Sequence, residues 1–247
     1  MYNYTDFELI FRDFVVDFGG EVLPEASDGL TADYLFRTKE IIAELKTMTQ
    51  DQTERMNEKL TPLVVEWIRK NQGRPKGITE GNKFFVEIKD MPPEIQGAWM
   101  KLLKASVEDL IKQANRQIRD TKRRLSMPSA KGLILIANPG NPYHNNPEDY
   151  RLLMVEVLRK RTQSGGLRFD NIHGGVYFSL ADVKSRKEQM YFWANLQMKR
   201  TPDEDVAPLA QFQQRLQQAW YKWIEKKTQI KVRQHYRDDE GIVHQKL

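Results

Sequence analysis

Ala32-Asp33-Tyr34-Leu35-Phe36 and Glu40-Ile41-Ile42-Ala43-Glu44-Leu45-Lys46-Thr47-Met48 are the two runs from which the fold of this chain is read. Arg37-Thr38-Lys39 between them is a polar turn, and the spacing predicts a hairpin. Side chains alternate between the faces of a strand, so Glu44 and Lys46 point the same way. Ile41-Ile42-Ala43 and Leu45 read as a buried central strand, where an unpaired charge is costly. With Asp33 near the end of the paired strand, two carboxylates and a lysine converge. Asp33, Glu44 and the backbone carbonyl of Leu45 form an oxygen set that suits a hard divalent cation such as Mg²⁺, with Mn²⁺ as the alternative. Such a cation lowers the pKa of bound water and neutralises a phosphate. Lys46 would orient the water or stabilise charge in a phosphoryl transition state. The competing reading is a solvated strand face carrying cross-strand ion pairs.

The elements around the hairpin follow from periodicity and breakers. Phe7, Ile10, Phe11, Phe14, Val15 and Phe18 give one apolar face to a helix over 6–18, ended by Gly19-Gly20. Glu21-Val22-Leu23 is a short strand before Pro24. Residues 50–71 read as a helix, 72–83 as a loop and 84–88 as a short strand. Pro92-Pro93 opens a long helix from Glu94 to Leu125, with a bend expected near residue 105. Leu133-Ile134-Leu135-Ile136-Ala137 does not alternate, which predicts a strand covered on both faces. A helix over 147–161 starts at Pro147, strands follow at 174–179 and 190–196, and 207–228 is helical. The order predicts a mixed α/β domain.

Asp33 followed by Glu44-Leu45-Lys46, on a hairpin after an N-terminal helix, resembles the PD-(D/E)XK nuclease superfamily. The resemblance covers residues 6–48 and about 105–180, with Ala32 where a proline often precedes the aspartate. It implies an αβββαβ restriction-endonuclease-like core. The whole chain would then be one nuclease-like domain, with a helical insertion at about 49–104 and a C-terminal extension at about 183–247. It further implies Mg²⁺-dependent cleavage of nucleic acid phosphodiesters, with DNA ahead of RNA as substrate. Asp33, Glu44 and Lys46 would be catalytic. Glu8 on the first helix resembles the helical glutamate that joins the metal site in some members, with Glu21 and Glu25 as competitors. Gln113 and Gln117 would support the site or touch substrate. The rival within the same fold is an inactive module that binds nucleic acid or a protein in a bacterial defence system.

Charge is distributed in a way that fits a polyanionic partner. The 247 residues carry 39 Lys and Arg against 34 Asp and Glu, a net charge of +5, so clusters matter more than the total. Lys112, Arg116, Arg119, Lys122, Arg123 and Arg124 meet only Asp120 in 112–124, and positions 112, 116, 119 and 123 share a helical face. Such a stripe tracks phosphates and makes binding salt-sensitive; a solvated helix end is the alternative. Lys222, Lys226, Lys227, Lys231 and Arg233, interleaved with Trp220, Tyr221 and Trp223, are a second candidate surface, although such aromatics more often fill a core.

Other chemistries fit poorly. With no cysteine there is no thiolate zinc site, disulfide framework or cysteine nucleophile. The four histidines lack metal-ligand spacing, Tyr143-His144-Asn145-Asn146 lacks the rest of a histidine–asparagine motif, and no phosphate-binding glycine loop is present. Glu87-Ile88-Lys89 repeats the Glu-x-Lys pattern but has no aspartate on a preceding strand. No apolar run nears the ~20 residues of a membrane span, and the N-terminus lacks signal-peptide character. A cytoplasmic protein without membrane contact is expected. Two cuts on opposite strands would favour a homodimer, for which the sequence shows no interface.

Overall fold

The computed structural model describes residues 4–25, 30–48, 50–71, 77–80, 83–86, 91–138, 147–182, 189–199, 203–229, 234–237 and 243–246. In chain order the elements are α1 (Tyr4–Asp17), β1 (Glu21–Val22), β2 (Tyr34–Phe36), β3 (Ile41–Thr47), α2 (Gln50–Asn71), β4 (Gly77–Glu80), β5 (Lys83–Val86), α3 (Pro93–Arg124), β6 (Lys131–Asn138), α4 (Pro147–Leu158), β7 (Gly174–Asp182), β8 (Gln189–Gln197), α5 (Ala207–Thr228), β9 (Gln234–Arg237) and β10 (Val243–Lys246). The chain divides into two compact units, Met1–Met48 with Leu110–Leu247, and Thr49–Asp109.

The first unit is mixed α/β, as the sequence predicts. Its six-stranded sheet has the order β1-β2-β3-β6-β7-β8. The pairs β1–β2, β2–β3 and β7–β8 are antiparallel, whereas β3–β6 and β6–β7 are parallel. The parallel centre explains the unbroken apolar run of β6: Gly132 to Asn138 are all buried. Parallel strands need a crossover and are covered on both faces.

On one face lie α1 and α5. Ile41, Ala43 and Leu45 of β3, Leu133, Leu135 and Ala137 of β6, and Val176 and Phe178 of β7 meet Phe7, Phe11 and Phe14 of α1 and Leu216 and Trp220 of α5. The rings interlock: Phe11 lies 5.2 Å from Phe178 and 5.3 Å from Trp220, and Phe14 sits edge-on to Trp220 at 5.0 Å. Trp220 is therefore core, while Lys222, Lys226 and Lys227 of the same helix are exposed. Lys227 lies over the Trp223 ring at 5.0 Å. Lys231 and Arg233 lie outside the described residues.

On the other face are α4 and the end of α3 from Leu110. Tyr150 of α4 stacks on Tyr177 of β7 at 4.3 Å. Ile118 of α3 lies over Gly132, and the Asn171 carbonyl closes the remaining space, so a β-carbon at Gly132 would collide with backbone. His173 pins the same place, its Nδ1 accepting the Gly132 N–H at 2.9 Å.

The second unit holds α2, the antiparallel pair β4–β5 and the part of α3 up to Asp109, with Leu60, Ile95, Leu103 and Val107 buried. The hairpin is a departure from the loop expected over 72–83. Gly73, Pro75, Gly77 and Gly81 outweigh the short β-forming run Ile78-Thr79 in a reading by composition, but Ile78 pairs with Phe85. Helix α3 runs unbroken over its 32 residues. Helix α4 stops at Leu158, short of the expected Arg161, which instead bridges to Leu167. The pair β9–β10 is not foreseen by the sequence reading. Among the described residues, no helix is long and apolar enough to cross a membrane.

Gly132→Ala is expected to lower unfolding free energy by about 2–3 kcal/mol, the upper range for overpacking a core, because the obstacle is backbone. Urea denaturation reads this directly; a loss under about 0.5 kcal/mol would mean that the 171–173 segment yields freely.

Candidate functional site

Strand register brings the predicted residues together. Tyr34 pairs with Ala43 and Leu35 with Ile42, so one further step sets Asp33 opposite Glu44. Ala43 and Leu45 belong to the core under α1 and α5; by alternation Glu44 and Lys46 face α3. Asp33 Oδ2 accepts the Leu45 N–H at 2.8 Å. Lys46 Nζ lies 2.6 Å from Glu44 Oε1 and donates to Gln117 Oε1 at 2.7 Å. An ammonium has three N–H donors, so one remains for water or a phosphate oxygen.

Helix α3 also fixes the approach to Asp33. Gln117 Nε2 donates to the Thr31 carbonyl at 3.1 Å, the Ala32 N–H donates to Thr121 Oγ1 at 2.7 Å, and Arg124 Nη1 donates to Thr31 Oγ1 at 2.7 Å. Residues 117, 121 and 124 are one turn apart on one helical face. They hold the two residues before Asp33 from three successive turns.

The electrostatics of the pair are strained. Glu44 is only 1% exposed, and among the described residues its Oε2 has no donor, while the Asp33 carboxyl comes within hydrogen-bonding reach of the Glu44 carboxyl. Burial, followed by the charge of Asp33, pushes its carboxyl from the ordinary 4.5 to about 8; Lys46 pulls it back without cancelling the rise. Burial raises Asp33 as well, against the Leu45 amide and Lys46. Two carboxyl groups face one ammonium, so either one of them keeps its proton or a further cation balances both as carboxylates.

Glu8 reaches the same cleft from the other side. Its Oε1 accepts the Thr47 hydroxyl at 2.8 Å, and Thr47 alternates away from Lys46, on the α1 face. The expected competitor Glu21 is held by Arg37 in two bonds of 2.8 Å. The cleft has a volume of about 740 Å³; Glu8, Arg12, Glu25, Asp33, Glu44, Lys46 and Gln117 line it. Among the described residues, no three His, Cys, Asp or Glu side chains gather closely enough to form a ready-made metal cage. Asp33 and Glu44 are two such groups on the α3 face, and Glu8 approaches from α1.

The basic helix is only partly a surface. Lys112, Gln113, Arg116 and Arg123 are exposed. Arg119 is half-buried and pairs with Asp120 at 3.0 Å. Lys122 is 7% exposed, a correction to its expected place on a phosphate-tracking stripe. One residue on a helix turns about 100°, which carries Lys122 from the exposed side towards that of Ile118. Of these residues, Gln117 lines the cleft. Glu87-Ile88-Lys89 and Tyr143–Asn146 lie outside the described residues.

The sequence reading misses Arg12, Thr47, Thr121 and Arg124. Arg12 has a local signal, its i,i+4 spacing from Glu8. The contacts of Thr121 and Arg124 span 89 and 93 residues and leave no local trace. Comparisons with protein-family models, curated proteins and solved structures find no match.

A carboxyl raised by the fold keeps its proton when the unfolded chain has lost it. Between about 4.5 and 8 the folded state therefore binds more protons, and stability falls as pH rises through that window. In metal-free buffer, Glu44→Gln is expected to flatten this decline and to exceed the wild type at pH 8 by on the order of 1–3 kcal/mol. Denaturation midpoints across pH check it; parallel wild-type and variant profiles would show Glu44 ionised in the fold.

Proposed function

We propose that this chain is a Mg²⁺-dependent nuclease, with the core order α1-β1-β2-β3-α3-β6 as its restriction-endonuclease-like scaffold. One observation carries the reading: the buried Glu44 carboxyl, whose Oε2 has no partner among the described residues, opposite Asp33 and beside Lys46. A solvated ion-pair face would leave no such orphan, since exposed carboxylates are satisfied by water.

The residues fit a hard divalent cation. Asp33 and Glu44 supply hard oxygen donors, and the Leu45 carbonyl and Glu8 are the further candidates. Bound there, the cation supplies charge neutralisation and a more acidic water. The chain's own residues do the rest. Lys46, held by Glu44 and Gln117, presents its remaining N–H to an attacking water or a phosphate oxygen. Gln117 fixes Lys46 and, through Thr31, the approach to Asp33, so the two halves of the site share one clamp. Lys112, Arg116 and Arg123, with Gln113, offer an exposed basic flank on α3 for the phosphate backbone, and Arg119 adds less because Asp120 neutralises it. DNA stands ahead of RNA as the substrate, on the resemblance alone.

Purified protein with Mg²⁺ is expected to cleave single- or double-stranded DNA or RNA. Glu44→Ala and Lys46→Ala should each lower the rate at least about 100-fold while remaining folded, the scale of losing an electrostatic contact to the transition state. Equal cleavage by all three proteins would place the activity elsewhere. Salt-sensitive binding without cleavage would favour the inactive binding module instead.

A further inference from the structure

The nuclease reading leaves one cation of the cleft without a task. Arg12 is exposed on α1 and lines the cleft with Asp33, Glu44 and Lys46. Glu8, one turn earlier, is its natural i,i+4 partner. Yet Glu8 Oε1 accepts the Thr47 hydroxyl instead, and among the described residues no ion pair engages Arg12. The guanidinium is near enough to the sheet for its charge to act on the buried Tyr34 hydroxyl. It is thus a free cation at an otherwise acidic wall, where Glu8, Glu25, Asp33 and Glu44 face only Lys46.

Its position relative to the reacting group is informative. Asp33, Glu44 and Lys46 line the cleft from the α3 face, and Arg12 lines it from α1. A polynucleotide strand crossing there, with its scissile phosphate at Asp33, Glu44 and Lys46, runs on past α1. Arg12 lines the same cleft from α1, one helical turn, about 6 Å along the axis, beyond Glu8. The planar guanidinium fork matches a phosphate in two bonds.

We infer that Arg12 binds a non-reacting phosphate of the substrate strand, next to the scissile one. This rests on the nuclease reading. It assigns Arg12 to strand binding and makes the α1 side of the cleft a phosphodiester subsite.

The test is equilibrium binding of a fluorescent single-stranded DNA, with Ca²⁺ in place of Mg²⁺ so that binding is read without turnover, across a salt series. Arg12→Ala is expected to weaken binding about tenfold at low salt and to reduce the slope of log K against log salt by about 0.7, the value for one lost phosphate contact on a single strand. Arg12→Lys should keep the slope. Arg215→Ala removes an exposed cation of α5 outside the cleft and should match the wild type. An Arg12→Ala protein that binds like Arg215→Ala overturns the inference while leaving the nuclease reading intact. A wild type with no salt-dependent binding to DNA overturns the inference; if it also cleaves neither DNA nor RNA with Mg²⁺, the nuclease reading fails with it.

Discussion

Asp33, one residue before β2, stands opposite Glu44 of β3, and among the described residues Lys46 is the cation that pairs with Glu44. Like charges directly across a strand pair are destabilising, and Glu44 has almost no contact with water. A fold selected for stability alone would place an apolar residue there, as it does at Ile42 two residues earlier on the same face. The arrangement persists because the surroundings over-determine it. Leu45 binds Asp33 through its amide, Lys46 is tied to both Glu44 and Gln117, and α3 holds the chain before Asp33 from three successive turns. Strain of this kind concentrates at functional sites.

The rest of the first unit can be understood as what keeps that strand pair fixed. On one side, the rings of α1 and α5 fill the space against β3, β6 and β7, and replacing such a ring by alanine typically costs about 3–5 kcal/mol. On the other side, α3 must approach closely enough for Gln117 to reach Lys46. Gly132 permits this closeness, since Ile118 and the Asn171 carbonyl occupy the place of its missing side chain. The parallel pairing of β3 with β6 requires a long crossover, and the last turns of α3 lead from that crossover into β6. The same topology that builds the sheet therefore delivers the clamp to the site.

What could be read from the sequence was what repeats locally. The two-residue period of a strand put Glu44 and Lys46 on one face, and the hairpin brought Asp33 to them. Helical spacing found the core face of α1 and also grouped 112, 116, 119 and 123. It could not show that Lys122 turns inward, because its basic neighbours obscure where the apolar face ends. Breaker residues hid β4, since Pro75 and three glycines surround a two-residue β-forming run. The clamp on Thr31 and Ala32 was illegible for a different reason: Thr121 and Arg124 act across more than 80 residues, and a threonine or arginine on a charged helix carries no sign of a distant partner.

Glu8 illustrates how sheet geometry sorts the acidic side chains of the cleft between two faces. Thr47, its partner, points to the α1 face, whereas Glu44 and Lys46 point to α3. Glu8 on α1 therefore meets Asp33 and Glu44 at the rim of the cleft, where the antiparallel edge is short and β1 spans just two residues. That short edge leaves the cleft open across the end of the sheet, with α1 on one side and α3 on the other. Glu8 and the Asp33–Glu44 pair line that opening from its two sides.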